Sequence, residues 1–332
     1  MKVVCVALLL VCALQGLSWD ADFARARKSG ALVLENLRVV DQDGVPVHNA
    51  RVWCGVQTGL GMNDFVVVSG ATDTNGEYCI RAKCTKTINC RIRKHGYYAC
   101  ETNFVYGTKG VSEEISNGRW QPYGGMHVIR LMKMVNPVRM TGWTRRRDFK
   151  VPQYGDWIGF DLERGDYTEP HGVGTNDDIR LRFFLEDKAI DDYRMTMEVS
   201  FTNSPFAGAY KFNRRLESEF QGEYLAATNA IYASYLKFYY ERSPGRPAVK
   251  HMLTESEGLV FRIRTEVGED GNLKSARYGK ILGPWKFVGP GGMSLPAVLI
   301  SCADNDLNLE DGMTYEAALK SEKQFNERHS ER

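Results

Sequence analysis

Gly44-Val45-Pro46-Val47-His48-Asn49-Ala50-Arg51-Val52 and Thr72-Asp73-Thr74-Asn75-Gly76-Glu77-Tyr78-Cys79-Ile80 decide how the first part of the chain folds. Pro46 suits the start of an edge strand, where the missing N–H group does no harm. Every second residue from Ala50 to Val56 is apolar, which is the period of a half-buried strand. The Asp, Asn and Gly residues of the second segment form a turn signal, and Glu77 to Ala82 is the next predicted strand.

A Gly96-Tyr97 pair follows these segments. Together, the Gly-x-Pro-Val-x-x-Ala-x-Val strand, the Thr-Asp-x-x-Gly-x-Tyr turn and this pair resemble the carboxypeptidase regulatory-like domain, a small prealbumin-like β-sandwich. The resemblance covers roughly residues 32–110. It implies the fold of this region and no activity, because such domains are appended to many unrelated proteins. No catalytic residue belongs to the pattern.

Length and composition indicate a two-domain globular protein. The chain has 332 residues, and its 43 Lys and Arg residues nearly balance its 41 Asp and Glu residues. A net charge of +2 provides no overall field for nucleic acid or an anionic membrane, so neither partner is expected. The 32 glycines and the aromatic content of 11% are typical of a β-rich chain with many turns.

The N-terminus has the pattern of a signal peptide. Met1-Lys2 is a short positive region, and the apolar run from Val3 to Leu14 is too short for a transmembrane span. Cleavage after Ser18 is predicted, so residues 1–18 are a signal peptide and the mature protein is secreted or periplasmic. An alternative is a lipid anchor at Cys12, although Val11 is a poor fit to the small residue expected before it. No transmembrane segment is predicted later in the chain.

Six cysteines remain once Cys5 and Cys12 leave with the signal peptide. In an exported protein they predict disulfides, and the lack of any Cys-x-x-Cys pair argues against zinc. Cys54 and Cys90 share the inward register of their strands and form the predicted pair. Whether Cys302 is free or joins the domains stays open. The disulfide candidates in the first domain are Cys54, Cys79, Cys84, Cys90 and Cys100.

The overall prediction is an all-β chain with two β-sandwich domains in tandem, the first prealbumin-like, and a short charged C-terminal tail. The boundaries are 30–135, 136–312 and 313–332, because Asn136-Pro137 marks a linker. The segments Gly258 to Val267 and Leu273 to Ile281 predict a hairpin. Residues 214–240 form either a helix or a loop followed by a strand, and the second interpretation is favoured.

Parts of the second region resemble uncharacterised secreted bacterial proteins in which a regulatory-like domain comes first. The similar segments are Gly159 to Asp166, the Pro170-His171-Gly172-Val173-Gly174 run after it, the predicted hairpin and the segment from Asn305 to Glu310. The resemblance supports the order of the domains. It implies no chemistry.

Aromatic residues are the leading candidates for ligand binding. Trp157, Tyr167 and Trp285 lie near predicted strand ends, where β-sandwich modules stack sugar rings. The alternative is that these rings fill cores, the usual position of large aromatic side chains. The basic run from Arg145 to Arg147 suits either an acidic glycan or phosphate, or a solvated turn.

Acidic residues suggest a calcium site, since this ion prefers carboxylate and carbonyl oxygens. The candidate ligands are Asp304 and Asp306, with a second acidic stretch from Asp161 to Asp192. Neither stretch has the ligand order of an EF-hand, and turn chemistry is the alternative. His171 lies within the second stretch, but no flanking nucleophile accompanies it.

No catalytic motif was found, neither a Gly-x-Ser-x-Gly elbow nor a His-Glu-x-x-His pair nor a phosphate-binding loop. The sequence therefore predicts no enzyme and no cofactor. It predicts a secreted non-catalytic binding or structural protein, whose partner is a glycan or another surface protein. One alternative is a carbohydrate-binding module of the cell surface or matrix. The other is an unrecognised hydrolase in residues 138–312, based on the acidic stretch and His171.

Overall fold

The computed structural model describes residues 21–329, apart from residues 62, 110–113, 190, 202–204 and 290. The predicted signal peptide at 1–18, with Cys5 and Cys12, lies outside this part. The chain divides into two compact units. The first contains Met1–Met134, Glu217–Glu219 and Gln324–Arg332, and the second contains Val135–Leu216 and Phe220–Lys323.

The predicted all-β class is confirmed. The described residues form strands and two helices, α1 at 21–29 and α2 at Gly312–His329. Most of the expected charged tail belongs to α2, whose first turn is capped by Asp311: the Thr314 N–H donates to Asp311 Oδ1 at 2.7 Å. Neither described helix has the length and apolar character needed to cross a membrane.

The first unit contains two main sheets and one strand pair. Strand β1 pairs antiparallel with β4 and parallel with β9 and β10, and β8 extends this sheet. The second sheet has the order β3-β2-β5-β7, and β6 pairs with β11. The strands are β1 Ala31–Val40, β2 Arg51–Gln57, β3 Phe65–Ala71, β4 Glu77–Cys84, β5 Thr87–Arg93, β6 Tyr97–Tyr98, β7 Cys100–Val105, β8 Ile115–Ser116, β9 Arg119–Trp120, β10 Gly125–Arg130 and β11 Met132–Lys133.

The inward-facing apolar residues that alternate along β1 and β2 form much of the core of the first unit. Val33 and Leu37 of β1 and Val52 and Val56 of β2 belong to one buried cluster, which the two sheets share. The side chain of Phe23 in α1 packs against this cluster, with its ring centroid 6.0 Å from that of Trp120. The predicted two-residue period therefore describes the real packing.

The Cys54–Cys90 disulfide is confirmed, and the larger disulfide set is not formed. The other four described cysteines, Cys79, Cys84, Cys100 and Cys302, are free thiols. Cys79 and Cys302 are exposed, whereas Cys84 and Cys100 are buried. Burial raises the pKa of Cys84 to about 11 and that of Cys100 to about 12, so both thiols stay protonated at neutral pH.

The second unit contains a five-stranded sheet in the order β12-β25-β22-β21-β18, a six-stranded sheet in the order β15-β14-β16-β17-β19-β20 and a three-stranded sheet in the order β13-β24-β23. The strands are β12 Met140–Trp143, β13 Arg147–Lys150, β14 Trp157–Asp161, β15 Asp166–Tyr167, β16 Ile179–Ala189, β17 Asp192–Ser200, β18 Gly208–Asn213, β19 Tyr235–Arg242, β20 Val249–His251, β21 Glu257–Val267, β22 Leu273–Leu282, β23 Lys286–Phe287, β24 Gly292–Leu295 and β25 Ala297–Ser301.

The five-stranded sheet is covered on both faces. Phe261 and Ile300 belong to the larger core cluster, which also takes in the inner residues of the six-stranded sheet. Their neighbours Val260 and Leu299 belong to a separate cluster with Ala226 and Leu309. The predicted hairpin is β21–β22. Between 214 and 240 the structure has a loop followed by β19, the favoured interpretation.

A buried ion pair lies within the second unit. Lys280 Nζ donates to Asp311 Oδ2 at 2.7 Å and to the Leu309 carbonyl at 2.6 Å, and both charged side chains are 1% exposed. Burial lowers the pKa of Lys280. Burial alone would raise the pKa of Asp311, but Lys280 and the hydrogen bonds from Thr314 together outweigh it and hold that pKa below its usual value. The pair joins β22 to the start of α2.

Candidate functional site

The outer face of the β3-β2-β5-β7 sheet carries a regular grid of side chains. In one row Trp53, Arg91 and Glu101 lie side by side on β2, β5 and β7, and in the next row Gly55, Asn89 and Asn103 do so. A groove of about 460 Å³ is lined by all of these residues except Gly55, together with Cys90 and Thr102. We call the six residues of the two rows the Trp53 face.

Two aromatic rings lie next to Gly55 on this sheet. A Cβ atom at this position would lie 3.7 Å from Phe65 Cδ1 and 3.8 Å from Trp53 Cη2. Phe65 lies on edge strand β3 with 40% of its surface exposed, and Trp53 is half-buried. Both rings therefore meet next to Gly55, which is itself buried.

Asn89 and Asn103 face each other across β5 and β7. Both are exposed, and within the described part of the chain neither side-chain amide has a hydrogen bond. Residues directly opposite each other on neighbouring antiparallel strands have Cβ atoms about 5 Å apart. The two amides thus present paired donors and acceptors to any ligand on this face.

Arg91 is held in place by two carboxylates. Its guanidinium contacts Glu101 at 3.0 Å and Glu219 at 2.6 Å. Glu219 is itself anchored, because its Oε2 accepts the Ala99 N–H at 3.0 Å. A guanidinium oriented in this way loses little side-chain entropy when it donates further hydrogen bonds.

The Cys54–Cys90 disulfide lies on the opposite side of the same sheet. The two cysteines are a register pair between β2 and β5, with Cα atoms 4.1 Å apart. They lie between the two rows of the Trp53 face. The covalent link therefore fixes the spacing of the strands that carry Trp53 and Asn89.

The sequence-based prediction of the site did not include the Trp53 face. The signal that could have identified it is the position of Trp53 between the inward residues Val52 and Cys54, which directs a large ring outward. The alternation does not predict the register of β2, β5 and β7, and it is this register that brings Arg91 and Asn103 near the Trp53 ring.

The three predicted aromatic residues lie in different environments of the second unit. Trp157 on β14 is 37% exposed, and the Arg182 guanidinium lies 4.5 Å from its ring centroid. Tyr167 and Trp285 belong to the larger core cluster, with 4% and 1% of their surfaces exposed. These two rings fill the core, the alternative that the sequence left open, and the three do not form one platform.

Asp161, in the predicted acidic stretch, organises two loops. Its carboxylate accepts the backbone N–H groups of Glu163 and Arg164 on one oxygen and those of Thr175 and Asn176 on the other, at 2.9–3.0 Å. Burial alone would raise the pKa of Asp161, but these hydrogen bonds outweigh it and lower the pKa. The carboxylate is a structural anion with its lone pairs occupied.

Arg264 neutralises the other buried carboxylate of this region. Its Nε donates to Asp178 Oδ1 at 2.8 Å, and its Nη1 donates to Glu163 Oε2 at 2.8 Å. Burial raises the pKa of Asp178, and the guanidinium partly offsets that rise. The carboxylates of Asp161, Glu163 and Asp178 accept hydrogen bonds from backbone N–H groups or from Arg264. Because these structural contacts already engage them, they count against the hydrolase alternative. His171 is half-buried in the Glu169–Gly174 turn, and Asp177 pairs with Arg180 at 2.7 Å.

The two predicted calcium ligands take part in turns. Asp304 contacts the Arg277 guanidinium at 3.0 Å, and Asp306 Oδ1 accepts the Asn308 N–H at 2.9 Å. No three His, Cys, Asp or Glu side chains gather for a metal ion within the residues that the structure describes. In the basic run, Arg147 lies 4.8 Å from the Trp143 ring centroid, and Arg146 donates to the Pro284 carbonyl at 3.3 Å.

No family model and no curated protein matches the chain. Among solved structures, it is similar to 3-chlorocatechol 1,2-dioxygenase from Rhodococcus opacus 1CP, at 14% identity and a TM-score of 0.27, over 32% of this chain and 62% of that one. It is also similar to the shaft pilin SpaA from Lactobacillus rhamnosus GG, at 11% identity and a TM-score of 0.21, over 55% of this chain and 91% of that one.

A third similar structure is a DUF3823 family protein from Parabacteroides merdae, at 7% identity and a TM-score of 0.21, over 82% of this chain and 100% of that one. The chain spans about three fifths of the dioxygenase. At these TM-scores the similarities carry no argument about function. The resemblance of the first domain to the carboxypeptidase regulatory-like domain therefore stays a prediction.

Proposed function

We propose that the protein is a secreted, non-catalytic glycan-binding protein and that the Trp53 face of its first unit is the binding site. The observation that carries the proposal is the placement of the Trp53 ring beside two exposed amides and an oriented guanidinium on one open sheet face. Sugars have apolar ring faces and equatorial hydroxyls, so they need both kinds of contact. The groove volume of about 460 Å³ suits a short oligosaccharide.

Each part of the face has a role in this proposal. A pyranose ring stacks on the exposed part of the Trp53 ring. The amides of Asn89 and Asn103 donate to its hydroxyls and accept from them. Arg91, already oriented by Glu101 and Glu219, donates to a ring or glycosidic oxygen at the end of the groove.

The first test is a glycan array of plant and bacterial polysaccharides, followed by calorimetry with the hexasaccharide of the strongest hit. Trp53→Ala is expected to weaken binding about tenfold to a hundredfold, because burying a large apolar side chain is worth about 1.5–3 kcal/mol. Trp157→Ala is the matched control, since it removes an exposed tryptophan from the second unit, and it is expected to leave binding unchanged.

Two results would contradict the proposal. One is an array without signal for any glycan. The other is a glycan whose binding is weakened by Trp157→Ala and left unchanged by Trp53→Ala, which would move the site to the second unit.

A second candidate function is contact with another surface protein through β3. This strand pairs with β2 alone within the described residues, and its Phe65, Val66 and Val67 are 40–50% exposed. Edge strands without charges or prolines readily pair with other chains. Val66→Lys would abolish such pairing and spare glycan binding, so the two functions can be separated.

A further inference from the structure

The second unit contains a groove of about 390 Å³ beside the end of its six-stranded sheet. Its lining includes Tyr240 of β19 and Lys250 of β20, and also the run Trp285, Lys286 and Phe287. This groove is separate from the Trp53 face in sequence and in unit. Nothing in the proposed glycan binding uses it.

The floor of the groove is apolar. Tyr240, Met252 and Phe287 are half-buried and pack against the larger core cluster. Trp285 lies among them, with its ring centroid 5.6 Å from that of Phe238. The indole Nε1 of Trp285 is buried, and within the described part of the chain it has no hydrogen-bond partner. A floor of this kind favours a flat apolar body over a sugar, whose hydroxyls need more polar partners.

The rim of the groove is cationic. Lys250 is exposed, its ammonium lies 5.7 Å from the Tyr240 ring centroid, and no carboxylate pairs with it among the described residues. Lys286 pairs with Glu255, the acidic residue of the lining. Arg214 donates to the Glu255 carbonyl at 2.7 Å, and Arg146 donates to the Pro284 carbonyl nearby.

These charges give the groove a net positive field, because Lys250 and Lys286 accompany a single carboxylate, Glu255, in its lining. The hydrogen bond from Lys286 is the main reason that the pKa of Glu255 is lowered, and Arg146 and Arg214 contribute to it. Lys286, Arg146 and Arg214 thus act on Glu255, and Lys250 has no carboxylate partner among the described residues. Such a field attracts an anion and repels a cation of the same shape.

We infer that this groove binds a small organic anion with a flat apolar body, such as an aryl carboxylate. The ring lies on Met252 and Phe287, and the carboxylate pairs with Lys250 at the rim. Charge complementarity and the apolar floor are the two observations that select this class. The inference is independent of the Trp53 face.

The test is calorimetry of the mature chain with three naphthalenes of the same shape: naphthalene-2-carboxylate, naphthalen-2-ylmethanol and naphthalen-2-ylmethylammonium. The carboxylate is expected to bind at least about tenfold more tightly than the other two. Its affinity is expected to fall when sodium chloride is raised from about 50 to about 500 mM. Lys250→Glu reverses the exposed charge and is expected to weaken carboxylate binding at least about tenfold.

Two control variants accompany this test. Lys274→Gln changes an exposed lysine of β22 that pairs with Glu266, and it is expected to leave binding unchanged. Trp53→Ala is also expected to leave it unchanged, so failure here and failure of the glycan proposal can be told apart. Equal affinity for the alcohol or the ammonium compound would overturn the inference. So would unchanged binding in Lys250→Glu, or no binding of the carboxylate at about 1 mM.

Discussion

Single carboxylates, such as that of Asp161, hold irregular segments of this β-protein in place. This side chain is fully buried and accepts four backbone N–H groups, two from the turn between β14 and β15 and two from the segment before β16. From the sequence, Asp161 was a candidate for calcium or catalysis. The sequence shows an acidic residue at this position. It does not show the backbone conformation that directs four N–H groups at its carboxylate.

Asp161→Asn is expected to destabilise the second unit by about 3 kcal/mol at neutral pH. The reason is that the NH₂ group of asparagine faces two backbone N–H donors and cannot accept a hydrogen bond from either. The folded-state pKa of Asp161 is lowered, so its contribution is present above the unfolded value of about 4. It is lost as the pH falls through the folded pKa. The gap between variant and wild type should therefore be smaller at about pH 3 than at about pH 7 in urea denaturation.

Asp306→Asn is the control for this prediction, since Asp306 accepts a single backbone N–H. It is expected to change the unfolding free energy by under about 1 kcal/mol at either pH. A penalty for Asp161→Asn that does not depend on pH would contradict the assigned protonation.

Lys280→Met is expected to destabilise the second unit by about 3–5 kcal/mol, because it leaves the Asp311 carboxylate buried without its partner. Lys280→Met with Asp311→Asn should recover most of that loss, since the amide oxygen can still cap α2 and no charge remains unpaired. Lys286→Met, which breaks an exposed pair, should cost under about 1 kcal/mol. Chemical denaturation followed by circular dichroism measures all three, and equal penalties in the single and double variants would refute this explanation.

At the scale of elements, strands β2 and β5 are joined both by their ladder and by the Cys54–Cys90 bond. Alternation predicted this pair, because both cysteines point inward from strands that the resemblance places in one sandwich. The free state of Cys79, Cys84 and Cys100 was not predictable in this way, since counting cysteines says nothing about which side chains meet.

Reduction of the disulfide is expected to destabilise the first unit by about 3–4 kcal/mol. The unfolded chain gains conformational entropy when the bond no longer closes a loop with a sequence separation of 36. Scanning calorimetry with and without a reductant should show a lower unfolding temperature for the wild type only. The Cys54→Ala/Cys90→Ala variant should melt at the same temperature in both buffers. A reductant effect that persists in this variant would indicate that other cysteines are bonded.

At the scale of the whole molecule, the sequence supports a prediction of the all-β class and most strands, because alternation and turn residues are local signals. The β21–β22 hairpin and the strand after residue 234 are examples. The candidate sites depend on non-local register. Trp53, Asn89 and Asn103 are far apart along the chain, and Trp285 is in a core that only the packed sheets define.

A co-crystal structure of the protein with the hexasaccharide of the strongest array hit is the decisive test of the Trp53 face as a glycan site. We expect a sugar ring stacked against Trp53, with hydroxyls within about 3.2 Å of the Asn89 and Asn103 amides. Density for the sugar at Trp157 or elsewhere in the second unit, with the Trp53 face empty, would contradict it.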